Sequence, residues 1–279
     1  MASKKIISAL QVKLTEGIEV RVAEKGTNSL QAYLKYLQAN ELVYKHNPED
    51  VDSAKKLVEE AISLDPNYAS AYYVQAKTDI ADVWLGTTKS PKASMEEALQ
   101  LLQKAIVLND AYADAHALLG WLFAMKRQYD KAVTHGEKAV ALNPNSAESH
   151  MRYGKILTFV GKYQESILEL QKAIRLNPMP PNIYLYSLGL AFCWSGQYDQ
   201  AIKWCERAVR EEPNGLFARL FMAQIYSLSG HDEEARIEAA EVLRIHPNFS
   251  LEKFAKTLSL KDKKNYERTL NALRRAGLK

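Results

Sequence analysis

The sequence has few cysteines, no large excess of either charge and no long apolar run. Its only cysteines are Cys193 and Cys205, which cannot build a disulfide framework and favour a reducing, cytoplasmic setting. The net charge of +4 is small for 279 residues, so composition gives no general case for nucleic acid. No uninterrupted apolar run approaches the ~18 residues of a membrane span. We therefore expect neither nucleic acid nor a membrane as a partner.

Signatures of catalysis are also lacking. No glycine-rich stretch has the arrangement of a phosphate-binding loop, because the glycines fall at helix-packing and turn positions of a repeat described below. No Ser–His–Asp set or pair of carboxylates stands out from the surface charge. We predict no active site, no bound metal and no cofactor.

A 34-residue period organises the middle of the chain, where ADAHALLGWLFAMKRQYDKAVTHGEKAVALNP is followed by AESHMRYGKILTFVGKYQESILELQKAIRLNP. Four pairs of matching residues share this offset: Gly120 and Gly154, Tyr129 and Tyr163, Ala139 and Ala173, and Pro144 and Pro178. Glycine and alanine allow two helices to pack closely, and proline ends the second helix. A helix–turn–helix unit of this period resembles the tetratricopeptide repeat.

This resemblance implies an all-α, right-handed superhelical solenoid of helix–turn–helix repeats with terminal capping helices. We divide the chain into six repeats, numbered 1 to 6, at residues 29–66, 67–110, 113–146, 147–180, 182–215 and 216–249. Residues 82–92 interrupt repeat 2, and such an insertion either lengthens the helices or forms a loop on one face.

Both ends of the chain lie outside the repeats. Residues 1–28 contain an amphipathic helix, predicted at 4–23, that either caps the array or belongs to a preceding domain. Residues 250–279 predict two further helices that cap the array with a polar outer face. This segment has nine basic and three acidic residues. Its charge fits a solvated cap, a surface for an acidic partner, or the end of a larger polypeptide.

The first helices of such a solenoid line its concave side, where side chains can bind an extended peptide or a helix. Positions 5, 9, 12 and 13 of each repeat are the usual groove positions in the family. We assign nine residues at these positions, the groove set, to partner binding: Trp121, Met125, Met151, Lys155, Phe159, Tyr186, Leu190, Trp194 and Gln224. A monomer rarely leaves so large an apolar set open, although several of these residues could instead pack against neighbouring helices. Chaperone-binding members of the family hold a C-terminal carboxylate with Lys, Asn and Arg at these positions. Lys77 and Lys155 occupy position 9, but no asparagine follows at the partner positions, so we do not expect this chain to bind a chaperone tail.

Two histidines and both cysteines have structural explanations. His116 and His150 occupy equivalent positions in adjacent repeats, too far apart for both to bind one zinc at ~2 Å. We interpret them as histidines beside the groove. Cys193 and Cys205 have no Cys-x-x-Cys neighbour, so we expect buried thiols that act as small hydrophobic groups.

A more particular resemblance extends over nearly the whole chain. SLQAYLKYLQANEL, DVWLG…KSP, ALNPNSAE and EEARIEAAEVLRIHPNFSLEKFAKTL resemble the C-terminal region of bacterial class III adenylate/guanylate cyclase-type proteins. In that family the array follows a small α/β domain, and KKIISALQVKLTEG resembles its last helix. The resemblance implies a regulatory module that binds a protein or peptide. No cyclase residue can be carried over, because the catalytic domain is absent. The competing prediction is a self-assembly scaffold that forms homo-oligomers.

Overall fold

The computed structural model describes residues 26–43 and 47–279, and this part of the chain forms fourteen helices and no strand. The helices are α1 Leu30–Val43, α2 Pro48–Leu64, α3 Ala69–Leu85, α4 Pro91–Leu108, α5 Ala113–Met125, α6 Tyr129–Leu142, α7 Ala147–Val160, α8 Tyr163–Leu176, α9 Asn182–Trp194, α10 Tyr198–Glu211, α11 Leu216–Ser229, α12 Asp232–Ile245, α13 Leu251–Thr257 and α14 Lys263–Arg275. The helix predicted at 4–23 lies outside the described residues.

Local sequence explains where the helices of repeats 3 to 6 end. Each second helix stops two residues before a proline, as α6 does at Leu142 before Pro144. The turns between the two helices contain a residue with positive φ at position 15 of each repeat. These residues are Arg127, Gly161, Gly196 and Gly230, with φ values of 58°, 88°, 83° and 86°. Glycine adopts this conformation without strain, whereas arginine does not. The turn of repeat 3 therefore has a strained backbone at Arg127.

The chain divides into two compact units, and residues 26–115 belong to the first. The insertion in repeat 2 lengthens both helices: α3 continues to Leu85, α4 begins at Pro91, and only residues 86–90 connect them. Gly86, with φ of 71°, ends α3. Lys55 on α2 pairs with Asp82 on α3, which joins adjacent repeats within this unit.

The second unit, residues 116–279, contains most of α5 and all of α6 to α14. Its helix pairs pack closely through small residues at position 8 of the first helix. A Cβ added at Gly120 would lie 3.0 Å from the Ala132 carbonyl oxygen, and one at Gly154 would lie 2.6 Å from Leu170 Cγ. The packing role predicted for these two glycines is confirmed.

Candidate partner-binding site

The structure buries more of the groove set than an open groove would. Five of its nine residues are less than a tenth exposed: Trp121, Met151, Leu190, Trp194 and Gln224. The other four are partly exposed: Met125, Lys155, Phe159 and Tyr186. The buried members therefore stabilise the fold in the described state, and only the second group presents surface to a partner. The assignment of the groove set to partner binding stays a prediction.

Lys155 and Trp121 form the contact within the groove set that joins repeats 3 and 4. Lys155 Nζ lies 5.4 Å from the centroid of the Trp121 ring, within the range of a cation–π interaction. Burial, followed by the nearby Arg152, lowers the pKa of Lys155 to about 8, and Glu148 acts in the opposite direction. A carboxylate placed beside Lys155 would therefore find a partly desolvated cation.

Three aromatic side chains form a second feature on the first helices of repeats 5 and 6. Tyr186 on α9 lies 6.4 Å from Phe217 and 5.5 Å from Phe221 on α11, measured between ring centroids. Phe217 is 38% exposed. The assignment of groove positions missed both phenylalanines, because they occupy positions 2 and 6 of repeat 6. Their aromatic character next to Tyr186 was the available signal. We call these three residues the aromatic cluster.

Residues 250–279, here called the C-terminal segment, lie against the ends of the first helices. Four backbone carbonyl oxygens in consecutive repeats accept hydrogen bonds from it: those of Met125, Phe159, Trp194 and Ser227. The donors, in the same order, are Ser259 Oγ at 2.9 Å, the Lys261 amide at 2.8 Å, Asn265 Nδ2 at 3.4 Å and the Arg275 guanidinium at 2.6 Å. The segment was predicted to cap the array, but its contacts extend from repeat 6 back to repeat 3.

Tyrosines at the start of the second helices bind the same segment. Tyr163 Oη accepts a hydrogen bond from Asn265 Nδ2 at 2.7 Å, and Tyr198 Oη accepts one from Arg268. Lys261 Nζ lies 5.7 Å from the Tyr129 ring centroid. Repeats 3, 4 and 5 thus each contribute a tyrosine from position 17, while repeat 6 has aspartate there.

Trp194 connects the groove set directly to the C-terminal segment. Its Nε1 donates a hydrogen bond to Thr269 Oγ1 at 3.1 Å, and both side chains are buried. Gln224 on α11 is fully buried and donates to Cys193 Sγ at 3.8 Å. Trp194 and Gln224 therefore lie in the interior of the second unit. The C-terminal segment covers the ends of the first helices there.

His116 and His150 each pair with the residue 19 positions further along the chain. In each of repeats 3 to 6, the residue at position 4, on the first helix, lies close to the residue at position 23, on the second helix. Three of these are direct polar contacts, His116 with His135, His150 with Glu169, and Arg219 with Glu238, while in repeat 5 Trp204 packs against the small apolar cluster that contains Leu185. The two histidine Nδ1 atoms of the first pair lie 2.9 Å apart, and the Arg219–Glu238 ion pair measures 2.8 Å. The histidines interpreted as lying beside the groove thus join the two helices of their own repeats.

The His116–His135 pair predicts a loss of stability in mild acid. Burial, followed by His116, Lys138 and Lys131, lowers the pKa of His135 to about 4. Unfolded histidine has a pKa of about 6.5, so the unfolded chain takes up the proton first as the pH falls. The contribution of His135 is fully present above pH 6.5 and is lost between pH 6.5 and 4. Partial exposure limits it to about 1–2 kcal/mol.

Urea denaturation of the wild type at several pH values between 7 and 4 measures this loss. His135→Gln should flatten the profile by about 1 kcal/mol, because glutamine does not titrate. His246→Gln is the matched control, since His246 is exposed at the end of α12. Equal pH profiles for His135→Gln and the wild type would contradict the assignment.

The remaining reactive groups are buried thiols. Cys193 and Cys205 are both free and fully buried. Burial raises the pKa of Cys193 to about 12 and that of Cys205 well above its usual value.

Across residues 26–43 and 47–279, no three or more His, Cys, Asp or Glu side chains meet to hold a metal ion. Every helix in the same ranges is too short or too polar to span a bilayer.

Comparison with known proteins identifies the repeats. Tetratricopeptide repeat family models match residues 113–146, 154–215 and 195–253. A putative adenylate cyclase 3 of Rhizobium meliloti (strain 1021) is 29% identical over 133 residues, which cover 47% of this chain and 22% of that protein. The chain therefore matches only about a fifth of that relative's length.

Two solved structures share the fold. The type IV pilus biogenesis factor PilW has a TM-score of 0.59 and 17% identity, over 79% of this chain and 96% of PilW. The Cut9–Hcn1 hetero-tetramer of the APC/C has a TM-score of 0.63 and 16% identity, over 88% of this chain and 46% of that one. The predicted fold class, an all-α solenoid of tetratricopeptide helix pairs, is confirmed.

Proposed function

We propose that this chain, which belongs to the tetratricopeptide repeat family, is a non-enzymatic protein-interaction module that binds a peptide or protein on its first helices. Repeats of this family serve as non-catalytic scaffolds. The observation that carries the proposal is the aromatic cluster, in which Phe217 is 38% exposed beside Tyr186 and Phe221. Exposed aromatic side chains that are already held by neighbours bind partners at a low entropic cost.

Lys155 adds a charged contact to this surface. It is partly exposed on α7, and the Trp121 ring limits its motion. A partner with an acidic group next to an apolar anchor would use both features. Trp194 and Gln224 are buried, so they could contact a partner only after a conformational change that exposes them.

The adenylate cyclase similarity suggests where such a module acts. The alignment over 133 residues supports the proposal that this chain is the C-terminal region of a bacterial cyclase-type signalling protein, where it regulates an output domain. No catalytic role is assigned to this chain. The cytoplasmic location expected from the free thiols stays a prediction.

Affinity capture with matched variants tests the binding surface. The bait is the full chain, and partners recovered from bacterial lysate are quantified by mass spectrometry. The double variant Lys155→Ala/Phe217→Ser should recover the specific partner at least ~10-fold less than the wild type, equivalent to about 1.4 kcal/mol. Leu168→Ser is the control, because Leu168 is 65% exposed on the second helix α8. Equal recovery by the double variant, with unchanged helix content, would refute this surface.

Self-assembly is the second candidate function. It is favoured by apolar side chains exposed at position 22 of two second helices, Leu168 at 65% and Ile237 at 63%. A molecular mass that rises with concentration in light scattering, and that falls to the monomer value in Leu168→Ser/Ile237→Ser, would support it.

A further inference from the structure

The C-terminal segment complements the ends of the first helices in charge. The carboxyl end of a helix has free carbonyl groups and a partial negative charge. Four such ends, from repeats 3 to 6, accept hydrogen bonds from the segment. The segment carries nine basic and three acidic residues. Its positive charge therefore matches the row of helix ends on which it lies.

The inner face of the segment is apolar, as in a helix bound to a groove. Four of its leucines are almost fully buried in the apolar cluster that contains Trp194: Leu258, Leu260, Leu270 and Leu273. On α14, Lys263, Lys264 and Arg274 are exposed on the opposite face. This pattern is that of an amphipathic helix bound in a groove.

The segment is attached differently from the repeats. Repeats in a solenoid are stabilised by their neighbours in the sequence. By contrast, Ser259 Oγ donates a hydrogen bond to the carbonyl oxygen of Met125, 134 positions away, and Thr269 Oγ1 accepts one from the Trp194 side chain, 75 positions away. None of these side-chain bonds belongs to the internal hydrogen bonding of a repeat helix. Release of the segment would therefore break no hydrogen bond within a repeat helix, although it would uncover the apolar cluster that its leucines share with the repeats.

The docked state also leaves polar atoms unsatisfied. Ser227, whose carbonyl oxygen is bonded by Arg275, has a buried hydroxyl without a hydrogen-bond partner, and Gln224 Oε1 is likewise buried and unpaired. A buried polar atom without a hydrogen-bond partner destabilises the state that contains it, because it has lost its hydrogen bonds to water. An occupant that supplied donors to these two atoms would compete with the segment.

We propose that the C-terminal segment is a releasable occupant of the groove, displaced when a basic amphipathic helix of a partner protein binds to the same helix ends. This inference rests on the proposed function. It specifies the chemistry of the partner at the helix ends, whereas the acidic group described above would lie at Lys155, a different part of the surface. The displacing helix bears basic or amide donors spaced to reach successive helix ends and leucine-like side chains on its inner face.

The segment itself supplies the test probe. A fluorescently labelled synthetic peptide of residues 250–279 is titrated with the full chain, and binding is followed by anisotropy. In the release variant Asn265→Ala/Thr269→Ala, the chain's own segment loses its bonds to Tyr163 and Trp194. The groove is unchanged in this variant, so it should bind the peptide at least ~10-fold more tightly than the wild type, equivalent to about 1.4 kcal/mol.

Two controls separate release from other effects. Asn271→Ala alters an exposed asparagine on the same helix and should bind the peptide like the wild type. A peptide of the same composition in scrambled order should bind neither protein. It has the same charge, but its leucines no longer lie on one face of a helix. Amide exchange at Lys261, whose amide bonds the Phe159 carbonyl oxygen, reports whether the segment has left.

Equal peptide affinity of the wild type and a variant with fast exchange at Lys261 would overturn the inference. If the double variant keeps slow exchange, Leu273→Asp replaces it, since a carboxylate at that buried position cannot stay docked. The same comparison then decides. Dimers that exchange their segments without binding added peptide would also overturn it, in favour of a second copy. The capture experiment uses Lys155 and Phe217, so the two proposals can fail independently.

Discussion

Trp194→Ala is expected to lower the free energy of unfolding of the second unit by about 3–5 kcal/mol, the usual cost of truncating a buried tryptophan. Trp194 is only 5% exposed and belongs to the apolar cluster of this unit. Its truncation leaves a cavity and also removes the hydrogen bond from Nε1 to Thr269. Urea denaturation followed by circular dichroism measures the loss.

Two other tryptophan substitutions isolate the causes. Trp204→Ala removes a partly exposed ring on α10 and should cost only about 1 kcal/mol. Trp194→Phe keeps most of the packing but loses the donor to Thr269, so it should cost less than Trp194→Ala and still accelerate amide exchange in the C-terminal segment. Equal losses for Trp194→Ala and Trp204→Ala would show that Trp194 is not part of the core.

The helix pairs of repeats 3 to 6 could be predicted because their signals are local. Pro144 and Pro178 end helices within their own repeat, and Gly120 and Gly154 allow the two helices of one repeat to approach. Each of these effects acts over a few residues or across one turn. A 34-residue alignment therefore captures them, including the positions at which the helices begin and end.

The state of the groove could not be predicted in this way. Position 13 identifies Trp194 as a groove residue, but its burial depends on Thr269, which lies 75 residues away in a segment outside the period. Contacts at such separation leave no trace in the repeat pattern. The composition of residues 250–279 indicated a basic cap, while the row of helix ends that it covers emerges only when the repeats are stacked.

The pairing of positions 4 and 23 is an intermediate case. The shared position of His116 and His150 was visible, and His135 and Glu169 share the same offset from them. The matching offsets were the available signal. A comparison of whole repeats, in which Arg219 and Glu238 take these two positions, would have predicted contact between the helices.

Gly189→Ala is expected to lower the free energy of unfolding by about 2 kcal/mol, within the range of overpacked cores. An added Cβ would overlap Cys205 Sγ and lie 3.2 Å from the Ala201 carbonyl oxygen. Alanine stabilises a helix by about 1 kcal/mol relative to glycine. Moving both the Ala201 carbonyl oxygen and the buried Cys205 thiol away from the added Cβ should cost more than this gain. The loss should therefore exceed the gain.

The chain contains its own rescue for this substitution. Positions 8 and 24 hold Gly189 and Cys205 in repeat 5, but Ala223 and Ala239 in repeat 6, where both alanines are buried. Gly189→Ala/Cys205→Ala reproduces the second pair. In a double-mutant cycle measured by urea denaturation, the two changes should couple favourably by about 1–2 kcal/mol. Additive losses would mean that the Ala201 carbonyl, rather than the thiol, sets the closest approach of α9 and α10.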